Sequence, residues 1–208
     1  MAAPYYIVFA GVNGAGKSTL FRTGLWQNGS FPPDMPRVNP DEIIAAHGWN
    51  WKSSADQLKA GKEAVRRIRH YLENSASFNQ ETTLSGRMSV RTIVQARRNG
   101  FRIVLFYVGL DNPAIANTRI AHRGETGGHL IDPDAVERRY RSSLAHLVEV
   151  LDICDEAYLY DNTVTLQLAA AFTHGELFYI DPPRLDDGWV APVLTSLGYQ
   201  EVPWHVEK

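Results

Sequence analysis

Residues 11–18 read Gly11-Val12-Asn13-Gly14-Ala15-Gly16-Lys17-Ser18, which satisfies G-x-x-x-x-G-K-[ST]. Glycines at these places let the backbone turn so that successive N–H groups converge on an anion, helped by the start of the helix that follows. A lysine directly after the turn reaches the β- and γ-phosphates of a nucleoside triphosphate, and the next hydroxyl is suited to Mg²⁺. The expected nucleotide-binding set is therefore Gly11, Asn13, Gly14, Ala15, Gly16, Lys17, Ser18 and Thr19, with Ser18 on the metal. No Asn-Lys-x-Asp guanine-reading motif occurs, so ATP with Mg²⁺ is the expected ligand.

Binding ATP does not fix what becomes of it. Transfer to an alcohol needs a carboxylate near the acceptor and cations around the γ-phosphate. Asp41 suits the first role, although it also suits the cap of a following helix. Glu81 with Thr82, Thr83, Ser85 and Arg87 forms a polar stretch able to grip hydroxyls or a phosphate on the acceptor, or merely to link a strand to a helix. Between Arg119 and Asp132 lies a basic segment with three glycines, fit to close over ATP and exclude water. Arg119, Arg123 and Arg139 are its candidates for charge stabilisation. His122 and His129 could suggest a metal, but no carboxylate spacing completes a site, and His129 is expected to contact phosphate or support local structure. A transport-type ATPase is a weaker reading: Leu84-Ser85-Gly86-Arg87 echoes a cassette signature, but Asn112 stands after Asp111 where such an enzyme would need a glutamate.

These residues need a scaffold. Tyr5 to Ala10 is a short apolar run ending at Gly11, as a buried parallel strand would, and helix is expected from Lys17 to about Gln27. A Pro-rich loop over 29–36 precedes a short strand at Arg37-Val38-Asn39, and a helix opens near Asp41. Over 54–76, Leu58, Val65, Ile68 and Leu72 mark an amphipathic helix with Lys59, Lys62, Arg66, Arg67 and Arg69 largely elsewhere. Strand at 77–81, helix at 87–98, strand at 101–108, a capped helix from Asp132-Pro133 to about Leu151 and strand at 156–160 continue the alternation. The core face of that capped helix is expected at Val136, Tyr140, Leu144, Leu147, Val148 and Leu151. A hairpin over 163–180 turning near His174-Gly175 and a terminal helix over about 190–197 follow. The expected architecture is α/β: a single domain with a core over 5–162 and an extension over 163–208, built as a three-layer sandwich around a mostly parallel sheet of about five strands, with a C-terminal hairpin.

Composition narrows the partners. An apolar share of 44% and a charged share of 21% are those of a globular chain, and no apolar run is long enough to span a membrane. A formal charge of −2 gives no general pull on nucleic acid, so a small-molecule acceptor is expected. One cysteine, Cys154, fits a reducing compartment, the cytoplasm by default.

Four further segments, Val38-Asn39-Pro40-Asp41-Glu42, Gln80 through Arg87, Gly127-Gly128-His129 and Leu159-Tyr160-Asp161-Asn162, resemble the zeta toxin family. The likeness covers about residues 5–162, and the ordered set is far more specific than the phosphate loop alone. It implies a P-loop kinase that phosphorylates a sugar hydroxyl of UDP-N-acetylglucosamine, with an antitoxin protein as a possible partner. The resemblance implies Asp41 as catalytic base, Lys17 and Ser18 at phosphate and magnesium, and Glu81 with Thr83 at the acceptor. Arg119 is similar to the first lid arginine, and Asp161-Asn162 falls where the family approaches the adenine. Arg123, His129 and Arg139 all remain open as the second lid cation. Thr83 and Arg87 stand farther apart than the corresponding pair in the family. Acceptors of the same class stay open as well, a dinucleotide cofactor or an antibiotic among them, as does a slow nucleotide-gated ATPase.

Overall fold

Strand β1 (Tyr5–Ala10) shows how the sequence builds two cores from one strand. Side chains alternate across a strand, so Tyr6, Val8 and Ala10 enter one buried cluster while Ile7 and Phe9 enter the other. The computed structural model describes residues 2–27, 31–32, 34–125, 131–181 and 188–199. After β1 come α1 (Lys17–Thr23), β2 (Arg37–Val38), α2 (Pro40–Ala46), α3 (Ser54–Glu73), β3 (Phe78–Thr82), α4 (Arg87–Arg98) and β4 (Arg102–Gly109). Then follow α5 (Pro113–Glu125), α6 (Pro133–Leu151), β5 (Glu156–Asp161), β6 (Gln167–Thr173), β7 (Glu176–Ile180) and α7 (Val190–Ser196).

The strands form one sheet in the order β2-β3-β1-β4-β5-β6-β7. The first five are parallel, while β6 and β7 run antiparallel to their predecessors. The hairpin turns at His174-Gly175 as expected and pairs with β5, so that two antiparallel strands join the five parallel ones in a seven-stranded sheet. Helices α2, α3, α4 and α7 and the end of α6 cover one face, and α1, α5 and the start of α6 cover the other. This is the three-layer, P-loop kinase-like arrangement, in which both faces of a parallel sheet must be shielded.

Three local expectations change. Helix α1 stops at Thr23 rather than near Gln27, because Gly24 takes φ 69° and its N–H closes on the Phe21 carbonyl, ending the helix with a left-handed cap. Helix α2 is capped by Asn39, whose Oδ1 accepts the Asp41 N–H at 3.0 Å, with Pro40 at the first helical position; Asp41 is not the cap. Helix α3 buries Ala60, Ala64, Ile68 and Leu72, whereas Leu58 and Val65 are 61% and 41% exposed. A four-residue stripe headed by small alanines lets the helix lie close to its neighbours, which outweighs the larger side chains on the flanks.

Candidate active site

The parallel strands deliver their C-terminal ends to one edge, and the register there decides which residues meet. Ala10 pairs with Thr82 on one side and Tyr107 on the other, Gly109 with Asp161, and Val38 with Gln80. The phosphate loop, Asp41, Glu81 and Asn162 therefore rim one cleft of about 360 Å³. Its lining includes Asn13, Gly14, Gly16, Lys17, Ser18 and Thr19 from the loop, with Asp41, Glu81, Arg119, Arg123 and Asn162 around it.

The loop is glycine-dependent at two places above all. Gly11 has φ 129° and a Cβ there would stand 2.2 Å from the Val108 carbonyl oxygen; Gly16 has φ 110° and a Cβ would stand 2.3 Å from Asn162 Nδ2. That crowding is functional, since Asn162 Nδ2 donates to the Ala15 carbonyl at 2.7 Å and fastens the loop to the end of β5. Gly11 and Ala15 thus shape the loop from beneath and do not line the cleft, unlike the rest of the expected set.

Lys17 is 7% exposed, donates to the Val12 carbonyl at 3.1 Å and lies 3.9 Å from Glu81 Oε1. Burial pushes its ammonium below the ordinary lysine value; Glu81 and Asp41 oppose that shift, and Arg123 and Arg37 add to it. Such a cation is primed to take a phosphate as its counter-charge. The Ser18 hydroxyl donates to Glu81, 3.2 Å from each carboxylate oxygen. Glu81, expected at the acceptor, is thus in contact with the metal-suited end of the loop. Among the described residues no three His, Cys, Asp or Glu side chains gather into a metal cage. A hydroxyl and a carboxylate at that spacing, with Asp41 in the same cleft, nonetheless fit Mg²⁺, which takes most of its ligands from phosphates and water.

The arginines divide. Arg119 donates through Nη2 to the Thr163 carbonyl at 3.2 Å, while its Nη1 is buried with no hydrogen-bond partner among the described residues. Arg119 also lines the wall of the cleft, where a guanidinium can offer its donors to an anion. Arg123 lines the same wall, and Arg139 donates to Asn13 Oδ1 at 2.9 Å and so braces the loop. His129 and Gly127-Gly128 lie outside the described residues.

Thr83 and Arg87 do not join the cleft. The Thr83 hydroxyl meets Ser85 Oγ at 2.8 Å, and its carbonyl accepts from Ser143 of α6. Next to it, Leu84 is fully buried at φ 54°, a conformation unusual for its type. The turn it makes sends Arg87, its side chain 60% exposed, toward α6, where it pairs with Glu149.

Sequence reasoning missed three residues. Arg22, one helical turn beyond Ser18, lines the cleft and donates to the Ser18 carbonyl. Arg37 and Asn39 both hold Glu81 Oε2, at 2.6 and 3.2 Å. A charge inside a two-residue strand next to Asp41 was the available signal for Arg37.

A family model described as an AAA domain matches residues 7–147. An uncharacterized protein of Haemophilus influenzae is 33% identical over 136 residues, covering 64% of this chain and 91% of that protein. Among solved structures, the AvrRxo1-ORF1:-ORF2 complex with ATP is similar at a TM-score of 0.66 and 14% identity, over 99% of this chain and 67% of that one. In the same complex with sulphate ions, at a TM-score of 0.64 and 14% identity, 88% of this chain matches and spans only 62% of the other. The PezAT toxin-antitoxin system of Streptococcus pneumoniae matches at a TM-score of 0.56 and 18% identity, over 98% of this chain and 80% of that one. At such identities the likeness shows the fold alone, the P-loop kinase-like sandwich described above.

Proposed function

The chain belongs to the AAA domain family, and on that premise we propose that it is an ATP-dependent kinase transferring the γ-phosphoryl group to a hydroxyl of a small molecule. The observation that carries this reading is the meeting of Lys17, Asp41, Glu81 and Arg119 in one cleft over the phosphate loop. A simple binding module has no need of an exposed carboxylate opposite the lysine.

In this reading the loop amides and Lys17 hold the triphosphate, and Arg119 and Arg123 gather the charge that spreads over the transferring group. Asp41 accepts the acceptor's proton as its oxygen attacks. Ser18, with Glu81 beside it, would hold Mg²⁺, which when bound neutralises phosphate charge. The nearest acceptor by resemblance is a nucleotide sugar, UDP-N-acetylglucosamine. A protein partner of the antitoxin kind is supported by the toxin-antitoxin system among its structural relatives. The single buried thiol of Cys154 supports a reducing compartment such as the cytoplasm.

Labelled ATP supplied with UDP-N-acetylglucosamine, and in parallel with a metabolite extract, tests both levels. A phosphorylated product identified by mass is expected. A different phosphorylated metabolite would discard the nucleotide sugar alone, and release of phosphate with no phosphorylated product would overturn the kinase.

A further inference from the structure

Glu81 is held from three sides, one of them the Ser18 hydroxyl, 3.2 Å from each of its oxygens. Its Oε2 receives Arg37 Nη2 at 2.6 Å and Asn39 Nδ2 at 3.2 Å, while its Oε1 faces Lys17 Nζ at 3.9 Å. The side chains of Lys17 and Glu81 are 8% and 12% exposed, so little water screens this pair. A free carboxylate beside a buried ammonium would close to hydrogen-bond distance, about 2.8 Å. It does not close here, and Lys17 spends its contact on a carbonyl instead.

Of the groups that hold Glu81, Arg37 makes the one charged hydrogen bond among the described residues. Its Cζ stacks 3.6 Å from the centre of the Phe21 ring, its Nη1 donates to Asn79 Oδ1 at 3.1 Å, and its Nε donates to Glu42 Oε1 at 2.8 Å. Held at four points, with its side chain only 10% exposed, the guanidinium cannot follow Glu81 toward the loop. We propose that Arg37 is a positioning residue that tethers Glu81 by Oε2 and so keeps the carboxylate from capturing Lys17 before a phosphate arrives. This rests on reading Lys17 as the phosphate ligand, and it makes the charge on β2 a determinant of nucleotide affinity rather than of folding alone.

The test is calorimetric titration of ATP in EDTA, so that no metal contact of Glu81 contributes. Arg37→Met, which retains the stem over Phe21, is expected to weaken metal-free ATP binding by about tenfold, the scale of a coupling between neighbouring charges. Glu81→Gln alone is expected to bind at least as well as the parent. The double variant should return to the affinity of Glu81→Gln, because the capturing group is gone. Equal weakening by Arg37→Met in both backgrounds would mark Arg37 as a structural support and overturn the proposal, as would parent-like affinity in the single variant. If Arg37→Met does not melt cooperatively, Arg37→Lys is read in the same cycle: a point charge cannot hold Glu42 and Glu81 together, and a smaller loss that vanishes with Glu81→Gln is expected. A parent that binds no ATP would overturn the phosphate cradle and this proposal with it, whereas ATP binding without acceptor phosphorylation would overturn only the kinase reading.

Discussion

Asp41→Asn separates chemistry from architecture with unusual clarity, because the structure gives the capping task to another residue. Asn39 Oδ1 receives the Asp41 N–H at 3.0 Å, so the substitution leaves the cap untouched. What the fold loses is one negative charge in the first turn of a seven-residue helix, at an exposed position. That is worth ~0.3–1 kcal/mol, or a melting shift of ~1–4 °C for a chain of this size. What the reaction loses is the proton acceptor, typically ~10²–10⁴ in rate, or ~3–5 kcal/mol of transition-state stabilisation. Thermal melting and phosphotransfer should be measured on the same preparation. Asn39→Ala is the complementary variant: it removes the cap, ~1 kcal/mol, and also one of the hydrogen bonds to Glu81. Asp41→Asn with turnover within a fewfold of the parent, or with a melting loss matching that of Asn39→Ala, would refute the assignment of Asp41 as base.

Lys17→Ala should lower turnover by ~10²-fold or more, the loss expected for one transition-state contact, while relieving a buried charge; steady-state kinetics decides it. Gly16→Ala forces a side chain into φ 110° and against Asn162 Nδ2, so ATP affinity should collapse and the melting point fall, by ~1–3 kcal/mol of strain; unchanged ATP binding by calorimetry would contradict the loop geometry. Burial pushes the Cys154 thiol far above its ordinary value, so the folded protein should resist alkylation at pH 8 and react fully in denaturant; rapid labelling of the folded protein would contradict its placement.

The phosphate loop could be read from the chain because its chemistry is local: eight consecutive residues contain the turn, the cation and the hydroxyl. Asp41 was legible for a similar reason, standing directly after a short strand at the start of a helix. The network behind Glu81 was not, since Arg37 finds its partners at Asn79 and Glu81, far along the chain, and only the pairing of β2 with β3 brings them together. Arg87 misled because proximity in sequence to Thr83 says nothing about direction once Leu84 turns the backbone through positive φ. The face of α3 misled in another way: periodicity permits more than one stripe, and Ala60 and Ala64 win by how closely they let the helix approach, a property hydrophobicity does not measure. The hairpin was visible as a hairpin, but whether it continues the sheet depends on the open edge of β5.

The place of β1 bears on the order in which the molecule can be made. The strand is early in the chain yet central in the sheet, pairing Tyr6 with Phe78 on one side and Tyr5 with Arg102 on the other. A strand with such distant neighbours waits, during synthesis, with its apolar side chains unpaired, and parallel pairings of this reach form slowly. The phosphate loop that hangs from it waits longer still, because its fastening to Asn162 requires β5 to have docked. A nucleotide bound on this loop would therefore stabilise the protein only after most of the sheet is assembled: it would be a ligand of the finished fold and no guide to the nascent one.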